Sequence, residues 1–109
     1  MTFPTASTAL FVPDEPDWCN GSCRHPDPGV IDHYSRVWEG TDLHDGDDWR
    51  IQVTQRVQQG PNGEVIEGRA VIDVTGVEGT YGSTAALARS LMIAQMLADR
   101  INASRRREA

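Results

Sequence analysis

The 109-residue chain contains no lysine, since all ten of its basic residues are arginine, and aromatic residues make up only 6% of it. So few large side chains can build only a small core. At a mass of 12.0 kDa, the chain is one domain at most. No apolar run reaches the roughly 20 residues of a membrane helix, and no apolar leader begins the chain. We therefore expect one small soluble domain, located in the cytoplasm and without a membrane partner.

Positive charge is scarce in the first part of the chain. Residues 1–48 carry ten acids against two arginines, a net charge of -8, whereas residues 49–109 carry six acids against eight arginines, a net charge of +2. An acidic field of this kind repels phosphate, so it disfavours nucleic-acid binding across the whole molecule. Arg105-Arg106-Arg107 near the end of the chain could still contact nucleic acid or an acidic partner.

The two cysteines, Cys19 and Cys23, lie close to His25 and His33. A disulfide between them is not expected to persist in a reducing compartment, and thiols this close in sequence are typical of metal ligands or redox groups. Zinc binds thiolates and imidazoles in a closed tetrahedral shell when its role is structural. We therefore predict that these four residues hold one structural zinc ion in an N-terminal knuckle-like loop.

Other interpretations of this segment remain open. The cysteines could be small buried thiols, with the histidines in solvent. Asp27 or Asp32 could replace His25 as a ligand through an oxygen atom. Cys23 beside Arg24 and His25 could also be an activated thiolate with an adjacent base, although sequence neighbours rarely face one another usefully.

Several short motifs suggest a family. The pair Trp18-Cys19, a histidine a few residues later, and His33-Tyr34-Ser35 precede a strand-like segment and a C-terminal helix rich in alanine and leucine. In this layout, residues 17–102 resemble a family of small uncharacterised domains encoded by actinomycetes and their phages, to which Cys23 is an addition. The resemblance implies the layout of the domain and no activity.

Alternation of apolar and polar residues predicts three antiparallel strands over residues 34–39, 49–57 and 65–74, with a turn over 58–64 that contains Pro61-Asn62-Gly63. Between the first two strands, the acidic segment 40–48 is predicted to be a solvated turn rather than a calcium loop. Tyr34, Arg36 and Trp38 should share one face of the first strand, and Ile66 should share a face with Ala70. The expected register pairs Ile51 with Ile72, Arg50 with Asp73, and Arg56 with Glu67.

Residues 84–102 are predicted to form a helix with Ser83 as its N-cap. One broad apolar arc of this helix should cover the sheet; it comprises Leu87, Leu91, Ala94, Leu97, Ala98 and Ile101. Met92 and Met96 fall on the opposite side, beside Arg89. These three residues could bind a protein partner, or they could be buried by the N-terminal arm or by a second copy.

The sequence therefore predicts an α+β domain, with a three-stranded antiparallel sheet, one C-terminal helix and the zinc loop. Residues 1–16 should be a flexible arm, 17–103 the domain and 104–109 a basic tail. The expected function is a non-enzymatic protein-interaction or regulatory module, with a protein partner or a homo-oligomer. The alternatives are a nucleic-acid-binding module that uses the sheet arginines Arg50, Arg56 and Arg69 together with the arginine tail, and an acidic phage or host inhibitor protein. No acid–base pair, phosphate loop or nucleophile with an oriented base points to an enzyme.

Overall fold

The computed structural model describes residues 13–24, 26–41, 48–77 and 84–105. Its strands are β1 (Gly21–Arg24), β2 (Val30–Thr41), β3 (Asp48–Gln59) and β4 (Val65–Thr75), and its helix is α1 (Ala85–Ser104). The strands form one antiparallel sheet in the order β1-β2-β3-β4, and α1 packs across one face of it. The predicted α+β class with a single C-terminal helix is confirmed, but the sheet has four strands rather than three. No helix in the described ranges combines the length and apolarity of a membrane span.

The additional strand is β1, which lies where the zinc loop was predicted. It is an edge strand, and it pairs Ser22 with His33 and Cys23 with Asp32 of β2. Its residues are mostly exposed and rich in turn formers, so they carry no apolar alternation from which a strand could be predicted. The pairing depends on main-chain hydrogen bonds to β2, which the local sequence does not encode.

The core lies between β3 and α1. Trp49, Ile51, Val53 and Val57 are buried on the face of β3 that α1 covers, as their alternation predicted. Ile51 and Val53 have no exposed surface. The main apolar cluster comprises Trp49, Ile51, Val53, Ala70, Leu87, Ala94, Ala98 and Ile101.

A β-bulge at Ser35 and Arg36 interrupts β2, since these two residues lie opposite Val53 alone. The Ser35 side chain is buried, and its Oγ accepts a hydrogen bond of 2.9 Å from the main-chain N–H of Val53. The same hydroxyl donates to the carbonyl oxygen of Arg36 at 2.7 Å. A side chain thus satisfies a buried main-chain donor at the point where the ladder is irregular.

The bulge also changes which residues of β2 face the helix. Trp38 pairs with Ile51 and packs against the core, whereas Tyr34 pairs with Thr54 on the outer face of the sheet. The prediction that Tyr34 and Trp38 share one face was therefore wrong. An inserted residue shifts a strand's alternation by one position, and β-bulges have no strong sequence signal.

The β3–β4 turn determines the first part of the register. Gly60 N–H donates to the Glu64 carbonyl at 2.7 Å, and Gly63 N–H donates to the Gly60 carbonyl at 3.0 Å. Gly63 has a φ of 83°, a left-handed conformation that glycine adopts without steric cost. This pattern is typical of a three-residue hairpin loop, which offsets the strands by one residue relative to a two-residue loop.

A second bulge places Gly68 and Arg69 opposite Arg56 and moves the register further. The predicted pairs were therefore wrong, because Ile51 lies opposite Val74 rather than Ile72. The bulge also separates the faces of the residues on its two sides, so that Ile66 and Ala70 point to opposite faces, contrary to the prediction. The turn and the bulge each shift the pairing of β3 with β4, and the predicted register had allowed for neither shift.

Helix α1 begins at Ala85 with Thr84 in the N-cap position, where no side-chain hydrogen bond caps it. The predicted cap, Ser83, lies outside the described residues. The predicted arc is confirmed: Leu87, Ala94, Ala98 and Ile101 are buried, and Leu91 and Leu97 pack against the core. The last turn is tied to the edge of the sheet, because the Asn102 side chain accepts from Ala70 N–H at 2.7 Å and donates to the Ala70 carbonyl at 3.3 Å.

Candidate functional site

The helix-covered face of the sheet differs between its two ends. At the apolar end, β2 and β3 contribute Trp38, Trp49 and Ile51. At the polar end, the same strands contribute the buried side chains of His33 and Gln55. A cavity of about 160 Å³ lies at the polar end, beneath the last turn of α1 and the segment 13–18. Its lining includes His33, Gln55, Glu67, Arg105 and Trp18.

His33 is at the centre of the polar end. Its side chain is only 2% exposed, and the Trp18 ring meets it edge-on at a centroid distance of 6.2 Å. Burial lowers the pKa of His33 below its ordinary value of 6.5, and the acidic groups of Glu15, Asp32 and Glu67 only partly oppose this effect. The imidazole is therefore neutral at neutral pH.

A hydrogen-bond chain runs from His33 to a carboxylate. Ser22 Oγ lies 2.8 Å from His33 Nδ1 and 3.0 Å from Glu15 Oε2. The Ser22 hydroxyl donates its one proton to Glu15, so in the second hydrogen bond His33 Nδ1 is the donor and Ser22 Oγ the acceptor. The imidazole therefore does not act as a base toward Ser22 in this arrangement.

The Cys19 thiol lies beside the same imidazole. Its Sγ donates to the Gly21 carbonyl at 3.0 Å and is 3.5 Å from His33 Nδ1. Bond lengths of about 2.3 Å to sulfur and about 2.05 Å to nitrogen at a tetrahedral angle place two zinc ligands about 3.5 Å apart. Cys19 and His33 thus have the spacing that two ligands of one zinc ion require.

Of the other two predicted ligands, Cys23 is not brought to this pair. Cys23 is exposed and lies opposite Asp32, on the face of the sheet that faces away from Ser22 and His33. His25 lies outside the described residues. Within the described ranges, no group of three or more histidine, cysteine or acidic residues could hold a metal ion. The structure therefore brings Cys19 and His33 together and separates Cys23 from them, and zinc binding stays a prediction.

Sequence reasoning did not identify Glu15, Ser22, Gln55 or Arg105 as parts of this end. Ser22 could have been found from its pairing with His33, but only if β1 had been predicted. Arg105, assigned to the basic tail, donates from Nη1 to the Glu67 carbonyl at 3.0 Å, and its Nε is buried without a partner. Glu15, assigned to the flexible arm, is hydrogen-bonded to the domain.

A second candidate surface is the outer face of α1, which points away from the sheet. Met92 and Met96 are each 65% exposed, and Arg89 is exposed beside them. The predicted partner residues thus lie on one accessible face of the helix, at successive intervals of three and four residues. Their contact with a partner stays a prediction.

Two arginines of the sheet, Arg50 and Arg56, are paired with acids. Arg56 donates to both carboxylate oxygens of Asp32, at 2.8 and 3.2 Å, and Arg50 lies 3.4 Å from Glu39. The predicted acid partners of these arginines, Asp73 and Glu67, were wrong because of the register shift. Both observed partners come from β2, and they reduce the positive potential that a nucleic acid would meet on this part of the sheet.

Comparison of the chain with protein-family models, with curated proteins and with solved structures found no match. The resemblance to small actinomycete and phage domains therefore stays a prediction. Any function for this chain has to be argued from the chemistry of its own surfaces.

Proposed function

We propose that the protein is a small non-enzymatic protein-interaction module whose contact surface is the outer face of α1. The observation that carries this proposal is the exposure of Met92 and Met96, 65% each, one turn apart on a helix whose opposite face is buried. Methionine side chains are apolar and flexible, and they are common at protein-binding surfaces. Exposed apolar residues grouped on one face are typical of such surfaces.

The helix is a rigid support for this surface. Ala94 and Ala98 are buried against the sheet, and Asn102 fixes the last turn to β4 by two hydrogen bonds. A partner that binds the outer face therefore meets side chains on a preorganised backbone, which lowers the entropy cost of association.

Two other classes have less support from the described residues. The pairing of Arg50 and Arg56 with carboxylates and the net charge of -6 disfavour nucleic-acid binding. Catalysis would need a nucleophile aligned with a base, whereas the Cys19 thiol donates to a carbonyl and the Ser22 hydroxyl donates to Glu15. A protein-contact role requires neither.

The contact surface can be tested by replacing Met92 with a photo-crosslinking amino acid in cells that express the chain in its natural setting. We expect a covalent adduct of discrete mass after irradiation, because the side chain at this position would lie within an interface. The matched control carries the same amino acid at Gln58, an exposed position on β3. If irradiation gives no adduct at position 92, or the same adducts at both positions, the module is not supported.

The second part of the proposal is that a zinc ion stabilises the polar end through Cys19 and His33. Their spacing of 3.5 Å supports this role, and zinc would require the thiolate and an unprotonated Nδ1 in place of the observed hydrogen bonds. Binding would therefore release protons and add to the free energy of unfolding.

Cys19→Ser and Cys23→Ser form a matched pair for this test. We expect about one zinc per chain by elemental analysis of protein purified with zinc, about the same content in Cys23→Ser, and a large loss in Cys19→Ser. Equal loss in both variants would favour the originally predicted ligand set. Absence of zinc from the unmodified chain would remove the metal from the proposal and leave the α1 surface unaffected.

A further inference from the structure

The outer face of α1 has the spacing of a coiled-coil seam. Its residues recur at alternating intervals of four and three, which keeps them in line along a helix. The seam consists of Ala85, Arg89, Met92, Met96, Asp99 and Ala103. All six residues are exposed, and none belongs to the arc that packs against the sheet. The helix can therefore keep its core contacts and bind a second helix at the same time.

Two copies of the seam are complementary when the helices run antiparallel. In an antiparallel pair of helices centred at the level of Ala94, Met92 of one chain lies opposite Met96 of the other. In the same arrangement, Arg89 lies opposite Asp99. A parallel pair would place Arg89 against Arg89 and Asp99 against Asp99, and like charges in contact oppose association.

We infer that a second copy of this chain binds the outer face of α1, with the two helices antiparallel about a two-fold axis. This inference rests on the proposed function and names the partner of the same surface. Such an interface uses one patch on both chains, which is the arrangement of most homodimers. Small alanines at both ends of the seam let the helices approach closely around the central methionines.

The Asp99 carboxylate is already oriented within each chain. Gln95 Nε2 donates to Asp99 Oδ1 at 2.8 Å, and the carboxylate keeps further acceptor sites for a guanidinium. The exposed Arg–Asp pairs would contribute little free energy and would mainly determine orientation, while burial of the methionines would supply most of the affinity. One pair of helices buries a small interface, so we expect a dissociation constant on the order of micromolar or weaker.

Sedimentation equilibrium of the full chain, up to a concentration of about 1 mM, tests the inference. We expect a reversible monomer–dimer equilibrium. Arg89→Asp should weaken it at least about tenfold, because the two-fold symmetry creates two like-charge contacts with Asp99. The double variant Arg89→Asp/Asp99→Arg should restore dimerisation, since it exchanges the charges of each pair.

Arg69→Asp is the matched control, because it makes the same charge change at an exposed position of β4, away from the seam. It should leave the dissociation constant unchanged within about twofold, and far-ultraviolet circular dichroism should show the helix intact in every variant. A chain that stays monomeric at all concentrations overturns the inference. A dimer that is equally weakened by both single variants, or that the double variant does not restore, overturns the antiparallel seam.

The photo-crosslinking result distinguishes failure of the dimer inference from failure of the proposed function. An adduct from position 92 with twice the mass of the chain agrees with the dimer. An adduct with a different protein, together with a monomeric purified chain, removes self-association and leaves the interaction module. Absence of any specific adduct from position 92 removes the module, even if the purified chain associates weakly at high concentration.

Discussion

The two ends of the helix-covered face are built from the same strands but held together differently. At the apolar end, Ile51 and Val53 are fully buried among other apolar side chains. At the polar end, His33 and Gln55 are also buried, but their side chains make hydrogen bonds. His33 bonds to Ser22, and Gln55 donates to the Gly68 carbonyl. One face of a small sheet is thus stabilised by apolar packing at one end and by hydrogen bonds between buried polar groups at the other.

The two ends depend on different kinds of interaction. Apolar contacts are non-directional, so the apolar end is stabilised in proportion to the area removed from water. Buried polar groups stabilise only when each of them has a partner, so the polar end depends on a few specific hydrogen bonds. Loss of one of these bonds therefore leaves a buried polar group without a partner.

The largest effect should come from the apolar end. Ile51→Ala should lower the free energy of unfolding by about 3 to 4 kcal/mol, because it leaves a cavity at a site with no exposed surface. Urea denaturation measures this change. Val71→Ala, at a residue 56% exposed on the outer face, should change it by less than about 0.5 kcal/mol. Similar losses in the two variants would contradict the assignment of the core.

At the bulge between the two ends, Ser35→Ala removes the acceptor of the buried Val53 N–H. We expect a loss of about 2 kcal/mol, because the donor would stay buried without a partner. Ser104→Ala is the control, since its hydroxyl bonds only to carbonyls of the preceding helical turn. A change in Ser35→Ala no larger than that of the control would show that the hydroxyl does not support the bulge.

At the polar end, Asn102→Ala should lower the free energy of unfolding by about 1 kcal/mol, since two hydrogen bonds to Ala70 are lost. Hydrogen exchange of the Ala70 amide should accelerate, because Asn102 Oδ1 is its acceptor. Asn102→Asp retains an acceptor and loses the donor, so it should protect this amide better than alanine does. If the Ala70 amide exchanges at an unchanged rate in Asn102→Ala, Asn102 is not the residue that protects it.

The smallest effect should be a pH dependence. Burial lowers the pKa of His33 in the folded chain, so the unfolded chain binds the proton more readily. The free energy of unfolding should then be fully retained above the ordinary value of 6.5 and should fall as the pH drops below it. Denaturation in a buffer with a metal chelator, with His33→Gln for comparison, measures this. Parallel profiles of the two proteins just below pH 6.5 would exclude His33 as the cause.

Local patterns predicted the parts of the fold that depend on a single segment. The alternation in β3 correctly identified Trp49, Ile51 and Val53 as one buried face, and the arc of α1 correctly identified its core residues. The candidate site was predicted only in part. Cys19 and His33 come together, whereas Cys23 is on the opposite face because adjacent strand positions alternate.

Most of the failures share one physical cause, which is the pairing of distant segments. A bulge at Ser35 moved Trp38 to the helix-covered face, and the turn at Gly63 with the bulge at Gly68 shifted the β3–β4 register. Main-chain hydrogen bonds determine these shifts, and every residue except proline offers the same main-chain groups. The local sequence therefore has little influence on the bulges, whereas the turn depends on its own residues, since Gly63 supplies the left-handed conformation.

By itself, the sequence determined the helix, its two faces and the buried face of the central strand, because the periods of apolar residues are properties of neighbouring positions. It also determined the self-complementary order of residues along the outer face of α1. The tertiary structure decided the fourth strand, the register and the position of His33 beside Cys19, Ser22 and Glu15. These depend on which segments meet, and the free energy of that choice is distributed over the whole sheet.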